Sequence, residues 1–233
     1  MWISIIGILF VIGLCYSIIP TMIYKKKLQK VSEKALKNNE ILLTFDDGPN
    51  EKYTPELLDV LKEYQVKASF FVVAKFADNN KEIINRMIEE GHSVCLHSLE
   101  HKNALIKGIY YTYKDFKESM NIMKKNGWNI EYYRPPWGHI NICTLLNLKK
   151  YNLKIILWTV MAEDWSKFTT ETDIVDRLIS RVHAGDNICL HDGRGADGAP
   201  GRTIEALKSV IPKFIDKGYK FIDIKEYYGQ QNS

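Results

Sequence analysis

No charged side chain occurs in the first 24 residues of this 233-residue chain, and cysteines are few: four, none spaced as C-x-x-C. The scarcity of cysteine excludes a disulfide scaffold and a Cys-rich zinc module. Seven Pro and fourteen Gly exclude a collagen-like or linker-like chain, and 45% hydrophobic residues exclude a disordered one. No internal repeat and no boundary between two folded domains is visible. A general basicity is missing too, although the formal net charge is +4. Residues 1–38 hold six Lys and one Glu; the remainder holds 26 basic and 27 acidic residues. The basic excess is local, and nothing in it points to nucleic acid.

What the first segment does have is length. Residues 2–24 form an apolar run long enough to cross a bilayer as a helix, which takes about 20 residues. Trp2 and Tyr24 stand at its ends, where amphipathic rings favour the interface. A cleaved signal peptide fits less well: no basic segment precedes the run, the apolar stretch is too long and no small-x-small site follows. The expectation is a single-pass anchor over residues 1–24, then a Lys-rich juxtamembrane linker over 25–38. Lys25, Lys26, Lys27, Lys30, Lys34 and Lys37 follow the run, a charge bias that argues for a cytoplasmic domain.

Beyond the linker, short apolar runs alternate with stretches of helical period. Strands are expected at 41–45, 68–73, 93–96, 132–134, 155–160, 188–190 and 221–224. Most are continuous apolar runs, as in strands buried on both faces of a parallel sheet. Helices are expected at Thr54 (as N-cap) onward, 81–90, 113–126, 172–182 and 203–217, several closed by a Gly. The pattern predicts one α/β barrel or open parallel sheet over residues 39–228, with a short tail at 229–233. Cys95, Cys143 and Cys189 sit among apolar neighbours and read as buried free thiols.

In such folds functional groups gather at the C-terminal ends of strands. Five of the seven expected strands end in ionisable or aromatic residues: Asp46-Asp47, His97 and His101, Arg134 and Trp137, Asp164-Trp165, and His191-Asp192. Each alone has an ordinary explanation, such as a solvated turn, a core histidine or a surface charge. Together, two His and a carboxylate make a three-ligand cation site with open positions, the pattern of a catalytic rather than a structural site. Adjacent carboxylates diverge, so Asp46 and Asp47 cannot serve one ion as equals.

The motifs Thr44–Pro49 (TFDDGP), His97–His101 (HSLEH), Arg134–Gly138 (RPPWG), Asp164-Trp165 and Leu190-His191 resemble, in order, those of the polysaccharide deacetylases, the NodB homology domain of carbohydrate esterase family 4. The resemblance spans residues 41–224. It implies a deformed (β/α)7 barrel and metal-dependent removal of N-acetyl, less often O-acetyl, groups from a glycan. It also implies Asp47, His97 and His101 as ligands of one divalent metal, zinc before cobalt, nickel or manganese. Asp46 becomes the general base, held by Arg134, and His191 the general acid. The Pro136–Gly138 turn (Pro136, Trp137, Gly138) supplies a backbone donor to the oxyanion, Asp164 lies on the substrate side, and Trp165 and Leu190 wall the acetyl methyl. One departure stands out: the family often has an Asp three residues before the Asp-Trp pair, and here that place is Met161. Glu163 or Asp192 would then have to support the acid histidine. His139 is a candidate substrate contact, whereas His92 and His183 read as structural.

Two other readings remain open. The same ligands can hold iron(II) in an oxygenase, and a tethered glycan-binding module can carry a relic site. An acetylated peptidoglycan- or chitin-like substrate lies outside the cell, so the catalytic domain is expected to be extracytoplasmic, against the Lys bias.

Overall fold

The computed structural model describes residues 7, 11, 13–28 and 33–229. Eight parallel strands form one curled sheet: β1 (Glu40–Asp46), β2 (Ser69–Val72), β3 (Ser93–Leu96), β4 (Tyr132–Tyr133), β5 (Lys154–Ile155), β6 (Val160–Met161), β7 (Asn187–His191) and β8 (Lys220–Ile222). Their order is β5-β4-β3-β2-β1-β7-β6, with β8 pairing the first residues of β1. The expected strand at 155–160 is broken. Its ends are β5 and β6, the two edges of the sheet, and no ladder joins them among the described residues. The barrel is therefore open, a curled half-barrel whose ends are bridged by four residues.

Ten helices are described: α1 (Ile19–Leu28), α2 (Glu33–Lys37), α3 (Tyr53–Glu63), α4 (Ala74–Asn79), α5 (Lys81–Glu89), α6 (Ile109–Lys125), α7 (Ile142–Lys150), α8 (Glu171–Arg181), α9 (Ala199–Asp216) and α10 (Ile224–Gly229). Four were not expected from the sequence, α2, α4, α7 and α10; α7 is capped by Asn141, whose side chain accepts from the Thr144 N–H. Thr54 is not a cap. It lies inside α3, buried, and its hydroxyl donates to Asp192 Oδ2 at 2.6 Å. Asn50 caps this turn instead, accepting from Lys52 and Tyr53.

Because side chains alternate along a strand, the sheet separates two apolar layers. Ile41, Leu43, Phe45, Phe70, Leu96, Tyr133, Ile188 and Leu190 face the outer helices. Leu42, Phe71, Cys95, Tyr132 and Ile156 face the concave side and fill its lower half. Further along that inner face four strands turn polar, with Thr44 and Asp46 on β1, His97 after β3, Arg134 after β4 and His191 on β7, whereas β2 runs on into the apolar Val73. The concave face is apolar below and ionisable at its C-terminal rim.

The expected span over residues 2–24 falls partly on positions 1–6, 8–10 and 12, outside the described residues. Among the described residues no helix is long and apolar enough to cross a membrane. The later part of the run is docked on the domain instead: the Ser17 hydroxyl donates to Leu105 O, Thr21 exchanges two hydrogen bonds with the Ile140 backbone, and Lys25 reaches Trp137 O. The linker expected at 25–38 is partly folded, with α2 burying Ala35 against the inner layer. Positions 29–32 and 230–233 of the expected linker and tail lie outside the described residues.

Candidate active site

A cavity of about 390 Å³ opens at the C-terminal rim, lined by Asp46, Asp47, His97, His101, His191 and Cys189, with Trp137, Trp158, Met161, Trp165, Arg194 and Gly195 around them. The backbone is strained there. Of eight non-glycine residues with positive φ among the described residues, five lie at this rim: Asp47 (75°), Ser98 (100°), His101 (54°), Trp137 (56°) and Glu163 (51°). Such conformations cost energy and persist where surrounding contacts impose them.

Asp47 Oδ1 stands 3.2 Å from His97 Nε2 and 3.0 Å from His101 Nε2. Ligands at about 2.0–2.2 Å from a shared ion stand about 3.0–3.5 Å from each other, so the spacing fits one divalent cation. Two further observations support the fit. Asp47 Oδ1 is buried without an aligned hydrogen bond, and His97 Nδ1–H donates to Arg134 O at 2.7 Å, which leaves Nε2 bare for a ligand bond. Burial alone would raise the Asp47 carboxyl, but the two imidazoles outweigh it and hold the group well below the usual carboxylate range. Burial lowers His101. Both shifts favour the forms that bind a metal.

Asp46 faces the same cavity but does other work. Its Oδ1 accepts from Arg134 Nη1 at 2.6 Å, and its Oδ2 lies 3.8 Å from His97 Nε2. Arg134 is fully buried, and its guanidinium stacks 3.9 Å over Phe71 while donating to Thr44 Oγ1 and Asn187 Oδ1. Across the cavity, His191 Nδ1–H donates to Asp164 Oδ1 at 2.9 Å. Asp164 Oδ2 also accepts from the His191 N–H and the Thr203 hydroxyl, so this buried carboxylate is held at three points. Burial would lower His191, but Asp164 more than offsets it and the imidazole is pushed up to about 9.

Several expectations need correction. Asp164 does not line the cavity; it is the support of His191 that the sequence seemed to lack at Met161. Glu163 instead pairs with Arg177 and Arg181, and Asp192 bonds Thr54, with burial pushing its carboxyl up to about 7. Leu190 points into the outer layer, and the cavity position on β7 belongs to Cys189. Of the Pro136–Gly138 turn, Trp137 lines the cavity, its ring 4.3 Å from that of His101, while Pro136 and Gly138 are buried behind it. Trp165 stands edge-on to His191 as a wall. His139 bonds Asn103 rather than facing the cavity. His92 is structural, accepting from the Ala68 N–H. Sequence reasoning did not place Trp158, Met161 or Cys189 in the cavity lining. Strict alternation from His191 back along β7 would have found Cys189.

The family described as Polysaccharide deacetylase matches residues 33–156. A peptidoglycan-N-acetylglucosamine deacetylase of Bacillus cereus is 31% identical over 195 residues, 81% of this chain and 89% of that one. The crystal structure of a peptidoglycan N-acetylglucosamine deacetylase superposes with a TM-score of 0.76 at 27% identity, covering 82% of this chain and 89% of that one. A family 4 acetyl xylan esterase from Clostridium thermocellum, solved with a cobalt ion, gives 0.74 at 30% identity, covering 82% and 91%.

Proposed function

Because this chain belongs to the polysaccharide deacetylase family, we propose that it hydrolyses the N-acetyl groups of hexosamine units in a peptidoglycan- or chitin-like glycan. The observation that carries the reading is the cavity itself. A three-ligand cation site sits between a carboxylate backed by a buried arginine and an imidazole backed by a buried carboxylate. Neither a relic module nor an oxygenase needs both of those supported groups.

Asp47, His97 and His101 would hold the divalent cation, zinc in our reading. Bound there, it supplies Lewis acidity to an acetyl carbonyl and lowers the pKa of water. Asp46, kept in place by Arg134, takes the proton of the attacking water. His191, with Nδ1 committed to Asp164, directs Nε2 into the cavity and gives its proton to the departing amine as the C–N bond breaks. Trp165, Met161 and Cys189 form the apolar surround for the acetyl methyl, and Trp137 offers an exposed ring to a sugar face.

The deciding assay measures acetate and free amine from N-acetylglucosamine oligomers and from peptidoglycan. The expected outcome is release by the zinc-loaded chain, loss after chelation and recovery with zinc. Intact glycan with the metal bound would leave only the relic reading.

We also infer that the chain works at a membrane, with its catalytic domain on the extracytoplasmic side. The support is a set of exposed apolar side chains on neighbouring elements. On the docked N-terminal segment Ile18 and Met22 point away from the domain, and beside them Ile106, Ile109, Tyr110 and Leu146 are all exposed. Contacts tie the parts together: Ser17 to Leu105, Cys143 to Ile109, and Lys150 over the Tyr113 ring. Lys25, Lys107 and Lys150 fringe this face, as cations fringe surfaces that meet anionic headgroups.

A further inference from the structure

We propose that the cavity floor contains a second, inhibitory cation site, built from Asp46, Cys189 and His191 and selective for a thiophilic divalent ion such as zinc. One atom from each of these residues lies within 4.8 Å of the others. Cys189 Sγ stands 3.4 Å from Asp46 Oδ2. A zinc ion bonded tetrahedrally to a thiolate and a carboxylate holds S and O about 3.6 Å apart, so the pair needs almost no movement. Asp46 Oδ1 is already committed to Arg134, which leaves Oδ2 to face the thiol.

The third ligand is oriented in the same way. His191 Nδ1 is fixed by Asp164, and carboxylate backing of this kind both orients a metal-binding imidazole and raises its basicity. Asp46 and Cys189 are nearly inaccessible, so an ion there would be held in a dry pocket. The thiolate sets the selectivity: it favours zinc or cadmium over magnesium, calcium or manganese. The neighbouring site of Asp47, His97 and His101 has no sulfur and lies close by, with Asp46 Oδ2 3.8 Å from His97 Nε2. Asp46, Asp47, Asp164 and the thiolate offset four of the five positive charges that two dications and Arg134 bring together there.

On binding, the zinc replaces the thiol proton and any proton on His191 Nε2; both leave to solvent, and no group changes oxidation state. The occupied site removes the base oxygen and the acid nitrogen together. Excess zinc then inhibits, and magnesium does not. The inhibition rests on the deacetylase reading above; the binding does not.

Equilibrium dialysis of the full chain against zinc should load two ions per native chain and one per Cys189→Ala chain. With cobalt, the second equivalent should bring a sulfur-to-cobalt charge-transfer band that the variant lacks. The rate at excess zinc, divided by the rate at one equivalent, should fall by about 10²-fold or more in the native chain, the scale of a lost general acid–base group. In Cys189→Ala that ratio should stay near one, whatever its basal rate. Single-ion loading, a second equivalent without the thiolate band, or equal inhibition of the variant would each overturn the proposal. Two-ion loading with the band in a chain that hydrolyses no glycan would uphold the site and sink the deacetylase reading.

Discussion

Asp46 and Asp47 are chain neighbours with opposite surroundings, and substitutions should separate them. Asp47→Ala leaves two imidazoles facing a cation, so bound metal should be lost on dialysis. For Asp46 the choice of variant matters. Removing the side chain strands the Arg134 charge in the interior, at a cost of about 3–5 kcal/mol for a broken buried pair, whereas Asn keeps an acceptor at Oδ1. Asp46→Asn should retain metal while turnover drops by about 10²–10⁴-fold. A variant that loses its metal instead would reverse the two roles. The acid side has its own signature. Burial opposes and Asp164 favours the His191 imidazolium, which holds its proton up to about pH 9. The sign follows: His191 is the competent acid below that value, and turnover should fall as pH rises through it. A cation nearby pulls the limb to lower pH. The Asp164–His191 pair likewise contributes stability that is full below about 6.5 and is lost as pH rises through the folded value. Asp164→Asn should move the alkaline limb of the kcat profile downward by at least one unit; an unmoved limb would mean that another group is the acid.

At the scale of elements, the site is a consequence of strand alternation. Inner residues Leu42, Thr44 and Asp46 on β1 run from apolar core to the rim, and Asn187, Cys189 and His191 line the same face of β7. That much was legible in the sequence, because buried parallel strands read as apolar runs and their C-terminal ends were visibly charged. Two things were not. Leu190 looked like a pocket wall because motif position was read without alternation, which puts it on the outer face. Asp164 looked like a substrate contact because its partners, His191 and Thr203, come from β7 and α9, a tertiary meeting that no local pattern encodes. The strand at 155–160 also misled, since a continuous apolar run cannot reveal that Ile156 turns into the inner core while Val160 joins another edge. One close approach makes a sharp prediction here. A Cβ on Gly193 would lie 2.1 Å from Asp47 O, so the segment after β7 presses on the backbone of a proposed metal ligand. Gly193→Ala should displace Asp47 and weaken metal binding at least tenfold in a competition titration, although no ligand is altered. Unchanged affinity would show that the loop yields freely.

For the whole molecule, the open side of the curled sheet and the exposed apolar face have a geometric relation. The docked N-terminal segment touches Trp137 and Ile140 through Lys25 and Thr21, and the Trp137 ring is 4.3 Å from that of His101. A surface that seats Ile18, Met22, Ile106, Ile109, Tyr110 and Leu146 on lipid therefore brings the cavity mouth near the membrane. Glycan strands at the membrane surface would then reach the mouth without the domain standing off on a linker. Scattered exposed apolar residues need no explanation, but a set on neighbouring elements fringed by Lys marks a contact surface. The full chain in anionic vesicles, exposed to a photoactivated carbene probe dissolved in the bilayer, provides the test. Labelling should appear on peptides covering 104–113 and 142–150 as well as on the N-terminal run, and should be absent from α8 on another flank. Labels confined to residues before Lys25 would show that only the N-terminal run meets lipid and that the catalytic domain stands clear. Protease added to sealed cells decides the side independently, because an extracytoplasmic domain is removed and a cytoplasmic one survives until the membrane is broken.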